Sequence, residues 1–290
     1  QEPDALRGGD GDAKVERGPG CHHPPAHVPD ADEDDGGLSA RWALILAVVV
    51  LLLVRMLVPF GREILYPFTL LATWVHEMGH GLTALAVGGE LSSLDIFWNG
   101  SGLAHTSAVA GGWPRALVSI GGLLAPPVVG ASILAFARGP TRATIAIVVL
   151  AVSMLLSVPL WIRSATGVTL IPGVAALLLL LAIKGGDTRK HVGAQGLGVL
   201  LGLDTAFGLD YLFTSSATID GRELPSDVAN VAAEAGGHWL PWGVVLALVS
   251  VGLVAIGLRV AWMSPLALPA LKWPKKRKDV TSSRGGRSNL

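Results

Sequence analysis

His76, Glu77 and His80 form the pattern His76-Glu77-Met78-Gly79-His80, an HExxH motif in a run from Pro67 to Val87 that carries no other acidic or basic side chain. On a helix, residues four apart lie on one face one turn apart, so two imidazoles can hold one ion together. Glu77 is rotated about 100° from His76 and about 60° from His80, so it flanks the pair. A carboxylate there can take a proton from a water activated at the ion, as a catalytic general base. Zinc (Zn2+) suits two imidazoles and lowers the pKa of water to about 7. The competing explanation is a pair of core histidines beside a surface glutamate. Ionisable groups inside an apolar membrane helix are costly and mark function, which favours a metal site. The chemistry expected is that of a metallopeptidase working at membrane depth.

The rest of the chain must carry this helix in a bilayer. It is 51% hydrophobic and 15% charged, a composition that points to a polytopic membrane protein. Formal net charge is zero but unevenly spread. Residues 1–40 hold ten acidic side chains against Arg7, Lys14 and Arg17, and too few large apolar residues to bury a core, so a solvated, disordered arm is expected. The first apolar segment then serves as its own membrane-targeting signal. Cys21 is the only cysteine, which rules out a thiolate zinc cluster and leaves a metal to His and carboxylate. Cys21-His22-His23 reads as a fortuitous metal binder in the arm.

At the other end, Lys272, Lys275, Lys276, Arg277 and Lys278 follow the last apolar run, with Arg284 and Arg287 beyond. A basic cluster so close to a span predicts a cytoplasmic C-terminus, in a multi-pass protein expected in the plasma membrane. One short tail without interleaved aromatics argues against nucleic acid as a partner; the bilayer, including anionic lipid, is the partner expected.

The fold class expected is an all-α polytopic membrane protein with six or seven transmembrane segments and a small β-hairpin or loop after the HExxH helix. The acidic arm (1–40) precedes a membrane-embedded domain (41–272), and a basic tail (273–290) follows. Spans are expected at about 41–60, 65–87, 113–137, 143–162, 168–184, 191–213 and 239–262, the two before 191–213 as plain lipid-facing helices. Asn99-Gly100 between apolar runs predicts a hairpin turn within 91–106. The pair Pro126-Pro127 should kink or interrupt its helix. His105 has two readings, a cavity group or a solvated loop histidine. No internal repeat is visible.

A catalytic zinc site of this type takes a third protein ligand and keeps one open position. The soluble HExxHxxGxxH arrangement is excluded, because Thr83 and Ala86 stand where its glycine and histidine would be. Glu90 lies beyond the Gly88-Gly89 break, a poor place to coordinate from. Asp204, Asp210, Asp220, Glu223, Asp227 and Glu234 remain.

The segment Val75–Ala84, the following Gly88-Gly89, Gly100-Ser101-Gly102 with Thr106, and Gly121-Gly122 with Pro126 resemble the M50B-like branch of the site-2 protease (M50) family of intramembrane zinc peptidases. Leu203-Asp204 with Asp210, and Ser226-Asp227-Val228-Ala229, resemble that family's aspartate-rich segment and its Ser-Asp-Ala element. The likeness covers about 65–262. It implies a zinc held by His76, His80 and Asp227, with Glu77 as general base. Two departures stand out: the proline pair lacks the family's Asn, and Ile219-Asp220-Gly221, which mimics its Leu-Asp-Gly ligand motif, has polar neighbours and reads as a turn. For Asp227 the competing role is an N-cap or first-turn carboxylate; Asp204 and Asp210 are the alternative ligands. The resemblance further implies a substrate that is a membrane protein or transmembrane segment, locally unfolded, which the hairpin could hold as an added strand. A non-proteolytic metal-binding protein and a transporter are the other two function classes; missing repeat symmetry counts against the transporter.

Overall fold

The computed structural model describes residues 64–207, 212–219 and 221–262, together with Val49 and Leu53. The acidic arm, most of the first expected span, Asp210, Asp220 and the basic tail lie outside the described residues. Seven helices and two small antiparallel hairpins follow in the order α1 (Tyr66–Ala86), β1 (Glu90–Ile96), β2 (Gly102–Ser107), α2 (Trp113–Phe136), α3 (Pro140–Leu160), α4 (Ala165–Lys184), α5 (Asp187–Phe207), β3 (Ser216–Ile219), β4 (Arg222–Pro225), α6 (Asp227–Ala235) and α7 (Trp239–Trp262). The chain is a mostly helical membrane protein with a small hairpin after the HExxH helix.

Among the described residues, which leave out most of the first expected span, four helices (α2, α3, α4 and α7) are long and apolar enough to cross a membrane, against six or seven segments expected for the whole chain. α1 and α5 have the length but are more polar. In α1 the polarity comes from His76, Glu77 and His80; in α5 it comes from Asp187, Arg189, Lys190, His191 and Gln195. The main core draws on Leu71 and Val75 of α1, Leu94 and Ile96 of β1, Met154 of α3 and Ile171 of α4. α3 and α4 are therefore not purely lipid-facing: each buries one stripe here and exposes the other, as at Leu156 and Leu177.

α2 is the scaffold of the site. It packs along α1 where both helices are thinnest. A Cβ at Gly79 would lie 2.5 Å from the Gly121 carbonyl oxygen and 2.5 Å from Ala125 Cβ, so glycine is what allows the two backbones to touch. Of the kink or interruption expected at Pro126-Pro127, the interruption does not occur: both prolines are buried inside one continuous helix. Non-donating residues are tolerated in membrane helices where neighbouring helices cover the freed backbone.

Hairpin β1–β2 turns at Asn99-Gly100. Gly100 has φ +83°, and the Asn99 side-chain oxygen accepts from the Ser101 N–H at 3.0 Å. The turn is fastened to α1, since Tyr66 donates to the Trp98 carbonyl at 2.8 Å and Thr73 to the Gly100 carbonyl at 2.6 Å. The outer edge of β1 is covered: the Leu94 N–H donates to the Trp161 carbonyl at 2.8 Å, and the Arg163 N–H to the Leu94 carbonyl at 3.2 Å. β2 has no second strand partner among the described residues.

The second hairpin, β3–β4, was legible only as the Asp220-Gly221 turn. Ile219 pairs with Arg222, and Gly221 has φ +74°.

Candidate metal centre

Helical periodicity puts His76 and His80 on one face of α1, with their rings 4.7 Å apart, edge to face. Both turn toward Asp227. His76 Nε2 lies 3.1 Å from Asp227 Oδ2, His80 Nε2 lies 3.2 Å from the same oxygen, and the two Nε2 atoms are 3.1 Å apart. The sequence separation between His76 and Asp227 is 151 residues, so the fold alone brings them together.

Each ligand candidate is oriented by a second contact. His80 Nδ1–H donates to the Val118 carbonyl at 2.9 Å, which leaves Nε2 with its lone pair directed at the cluster. The His80 ring lies against Gly122, where any Cβ would collide with Cε1 and Nε2. Asp227 opens α6, but Ser226 is the N-cap, its Oγ accepting from the Ala229 N–H at 3.2 Å and donating to the Thr214 carbonyl at 2.6 Å. The capping role considered for Asp227 therefore belongs to its neighbour, and the Asp227 carboxylate is buried against the imidazoles. Burial alone would raise its pKa. When the imidazoles are protonated, the charge on His80 and hydrogen bonds from both rings outweigh burial and hold the carboxyl well below the usual range; deprotonated, the same nitrogens offer lone pairs instead. The helix N-terminus favours a carboxylate in the same place.

Two imidazole nitrogens and a carboxylate oxygen thus present electron pairs to one point. Donor atoms bound at about 2.0–2.1 Å in a tetrahedral arrangement lie about 3.3 Å apart, close to the spacings observed. The donor set fits zinc.

Glu77 is buried beside the cluster, with 6% exposure, and lies against β2 at Gly102. Gly102 permits that approach, because a Cβ there would meet Glu77 Cγ at 2.6 Å and Thr73 Cγ2 at 2.8 Å. Two cavities meet at His76, Glu77, Gly102 and Ile219. One, of about 500 Å³, runs between Thr73, Leu123, Asp204 and β3; the other, of about 460 Å³, runs between β2, Ser119, Asp227 and Asn230. An extended chain lying beside β2 would pass both.

The other candidates are engaged elsewhere. Asp204 lines the first cavity and is not part of the three-ligand group. Glu223 accepts from Ser216 at 2.7 Å, and Ser107 donates to Glu90 at 3.3 Å. Glu234 accepts from the Gly112 N–H at 2.6 Å and from Arg115 at 3.0 Å. His105 pairs with Asp95 at 3.0 Å on the exposed side of the hairpin, the solvated reading. Ser226, already part of the Ser-Asp element in the sequence, places Asp227, whereas Val118, which orients His80, was not singled out. Val118 acts through a backbone carbonyl, which no residue type signals.

No curated protein and no solved structure matches the chain. The family described as Peptidase M50B-like matches residues 42–257, a stretch that includes every element holding the site. With the HExxH helix, the small-residue α1–α2 contact and the Ser-Asp element all inside that match, the chain belongs to the Peptidase M50B-like family.

Proposed function

We propose that this protein is a zinc-dependent intramembrane endopeptidase that hydrolyses peptide bonds of membrane proteins or of transmembrane segments. The observation that carries the proposal is the convergence of His76 Nε2, His80 Nε2 and Asp227 Oδ2 on one point, with Glu77 buried beside it. His76, His80 and Asp227 would hold the ion. When bound, zinc supplies Lewis acidity toward a scissile carbonyl and makes water a better nucleophile at neutral pH.

Glu77 is the general base. It takes a proton from the attacking water and returns it to the leaving amine. Gly102 lets β2 come close to its carboxylate. The open edge of β2 orients the substrate, because an extended segment can add to it as a strand while its side chains enter the two cavities. A helical segment must unwind locally first, since its carbonyls are otherwise occupied by its own hydrogen bonds. The partners are the bilayer and a membrane-bound substrate; the setting is the plasma membrane with the C-terminus in the cytoplasm.

The test is cleavage of an unfolded reporter segment in detergent micelles by zinc-loaded protein and by its Glu77→Gln variant. The variant should keep its zinc and lose activity by about 10²- to 10⁴-fold. Cleavage at the unmutated rate by Glu77→Gln overturns the general-base role. Zinc binding without cleavage by the unmutated protein favours the non-proteolytic alternative.

A further inference from the structure

The cavity between β2 and the α2–α6 pair has a wall that the metal centre does not use. α6 packs on α2 and runs against it. Glu234, late in α6, bonds to the Gly112 N–H and to Arg115 at the start of α2. Asp227, first in α6, meets the His80 ring, which rests on Gly122 one turn and more further along α2. Helical period sets the facing stripes. Arg115, Ser119 and Gly122 stand at i, i+4 and i+7 of α2, and Asp227, Asn230 and Glu234 at i, i+3 and i+7 of α6. The outer level of this interface is filled by Arg115 with Glu234, and the inner level by the ligand group.

The level between them holds Ser119 and Asn230. Ser119 has 6% exposure, yet its hydroxyl has no hydrogen-bond partner among the described residues. It does not take the bond to a carbonyl of the preceding turn that Ser132, Ser157 and Ser250 take in their helices. The half-buried Asn230 engages only its backbone N–H, to the Ser226 carbonyl at 2.9 Å, and its carboxamide has no partner among the described residues. Both residues line the 460 Å³ cavity together with His76, Glu77 and His80, and β2 forms the opposite wall.

Polar groups so placed are costly unless a partner arrives. These two are uncharged, and each can donate and accept, which matches a peptide backbone and not an ion. An extended chain added to the free edge of β2 turns only alternate residues toward that strand; the N–H and C=O of the residues between face away. At membrane depth such groups need protein partners. Asn230 lies three residues from Asp227, and Ser119 three from Gly122, each about 4.5 Å along its helix. One residue of extended chain covers about 3.3 Å. A carbonyl at the metal centre therefore brings the neighbouring residue to the level of Ser119 and Asn230.

We propose that Ser119 and Asn230 form a backbone-binding subsite of the metal centre. The Asn230 carboxamide donates to the C=O, and the Ser119 hydroxyl accepts from the N–H, of the substrate residue beside the scissile bond that faces away from β2. The subsite rests on the peptidase reading above. It adds a second edge to the substrate site, so that an extended chain is held by β2 on one side and by α2 and α6 on the other.

The test compares two probes on the zinc-loaded full chain in detergent micelles: acetohydroxamate, which can reach only the metal, and a tripeptidyl hydroxamate, which extends a backbone from it. Ser119→Ala and Asn230→Leu should each weaken the tripeptidyl probe by about tenfold, with zinc content and acetohydroxamate affinity unchanged. An ester analogue of the tripeptidyl probe, lacking the N–H at that residue, should bind Ser119→Ala and the unmutated protein alike. Unchanged tripeptidyl affinity in both variants overturns the subsite and leaves the metal centre standing. Loss of zinc or of acetohydroxamate binding in both variants also overturns it, making the two residues supports of the metal centre. Unmutated protein that holds no zinc overturns the peptidase reading, and the subsite falls with it.

Discussion

α1 and α6 both deliver ligand candidates to one point, and they do so by different means. α1 presents His76 and His80 through the period of its own helix, so their spacing is a local property of five residues. α6 has nine residues and presents Asp227 through contacts made elsewhere: Ser226 tied to Thr214, Val228 buried in the small core with Leu123, Leu212 and Leu246, and Glu234 tied to Gly112 and Arg115. The histidine half of the site should therefore fail only when its own residues or their seat are changed. The aspartate half can be detuned from a distance.

The largest effect should come from the histidines. His76→Ala or His80→Ala should abolish stoichiometric zinc with little change in helix content, read by metal analysis and circular dichroism on the same sample. Gly122→Ala comes next, because its methyl would occupy the space of the His80 ring; overpacking of this kind costs about 1–3 kcal/mol. A lower Tm together with weakened zinc binding is expected. If Gly122→Ala kept both, the close α1–α2 contact would not be what seats His80.

Ser226→Ala sharpens the comparison from the other half. It removes an N-cap worth about 1 kcal/mol and the tie to Thr214, and support of this kind to a ligand typically contributes about 10- to 100-fold in metal affinity. Zinc affinity should fall while Ser226→Thr largely restores it. Equal loss in Ser226→Ala and Ser226→Thr would argue against the cap as the positioning device.

The smallest effect is expected from Glu234→Gln, an exposed pair with Arg115. The Gly112 N–H and then Arg115 hold the Glu234 carboxyl below its usual range. With a depressed folded-state pKa, its contribution is present above the ordinary glutamate value and is lost as pH falls through the lower folded value. Unmutated protein and Glu234→Gln should therefore differ in Tm near neutral pH and converge in acid. A difference that grew on acidification would break the assignment.

The same contrast explains what the sequence revealed. α1, expected at 65–87, runs Tyr66–Ala86, and its histidine pair was legible because motif and helix share one short stretch. Asn99-Gly100 marked the first hairpin, because only a few residue types suit that turn. The third ligand candidate was narrowed from six carboxylates only by resemblance. Its position depends on α2 and on the ties of Ser226 to Thr214 and Ser215, which no local pattern encodes. Among the described residues four helices are long and apolar enough to span, because α1 and α5 carry polar residues that a count of hydrophobic runs does not discount. The unbroken α2 at Pro126-Pro127 has a related cause: covering the freed backbone falls to neighbouring helices, which are distant in sequence.

The most direct measurement is zinc per chain in detergent-purified protein, compared with Asp227→Ala and Asp204→Ala under identical metal loading. About one zinc in the unmutated protein, lost in Asp227→Ala and kept in Asp204→Ala, is the result expected of a His76–His80–Asp227 centre. Full zinc retention in Asp227→Ala, or loss in Asp204→Ala instead, would contradict it.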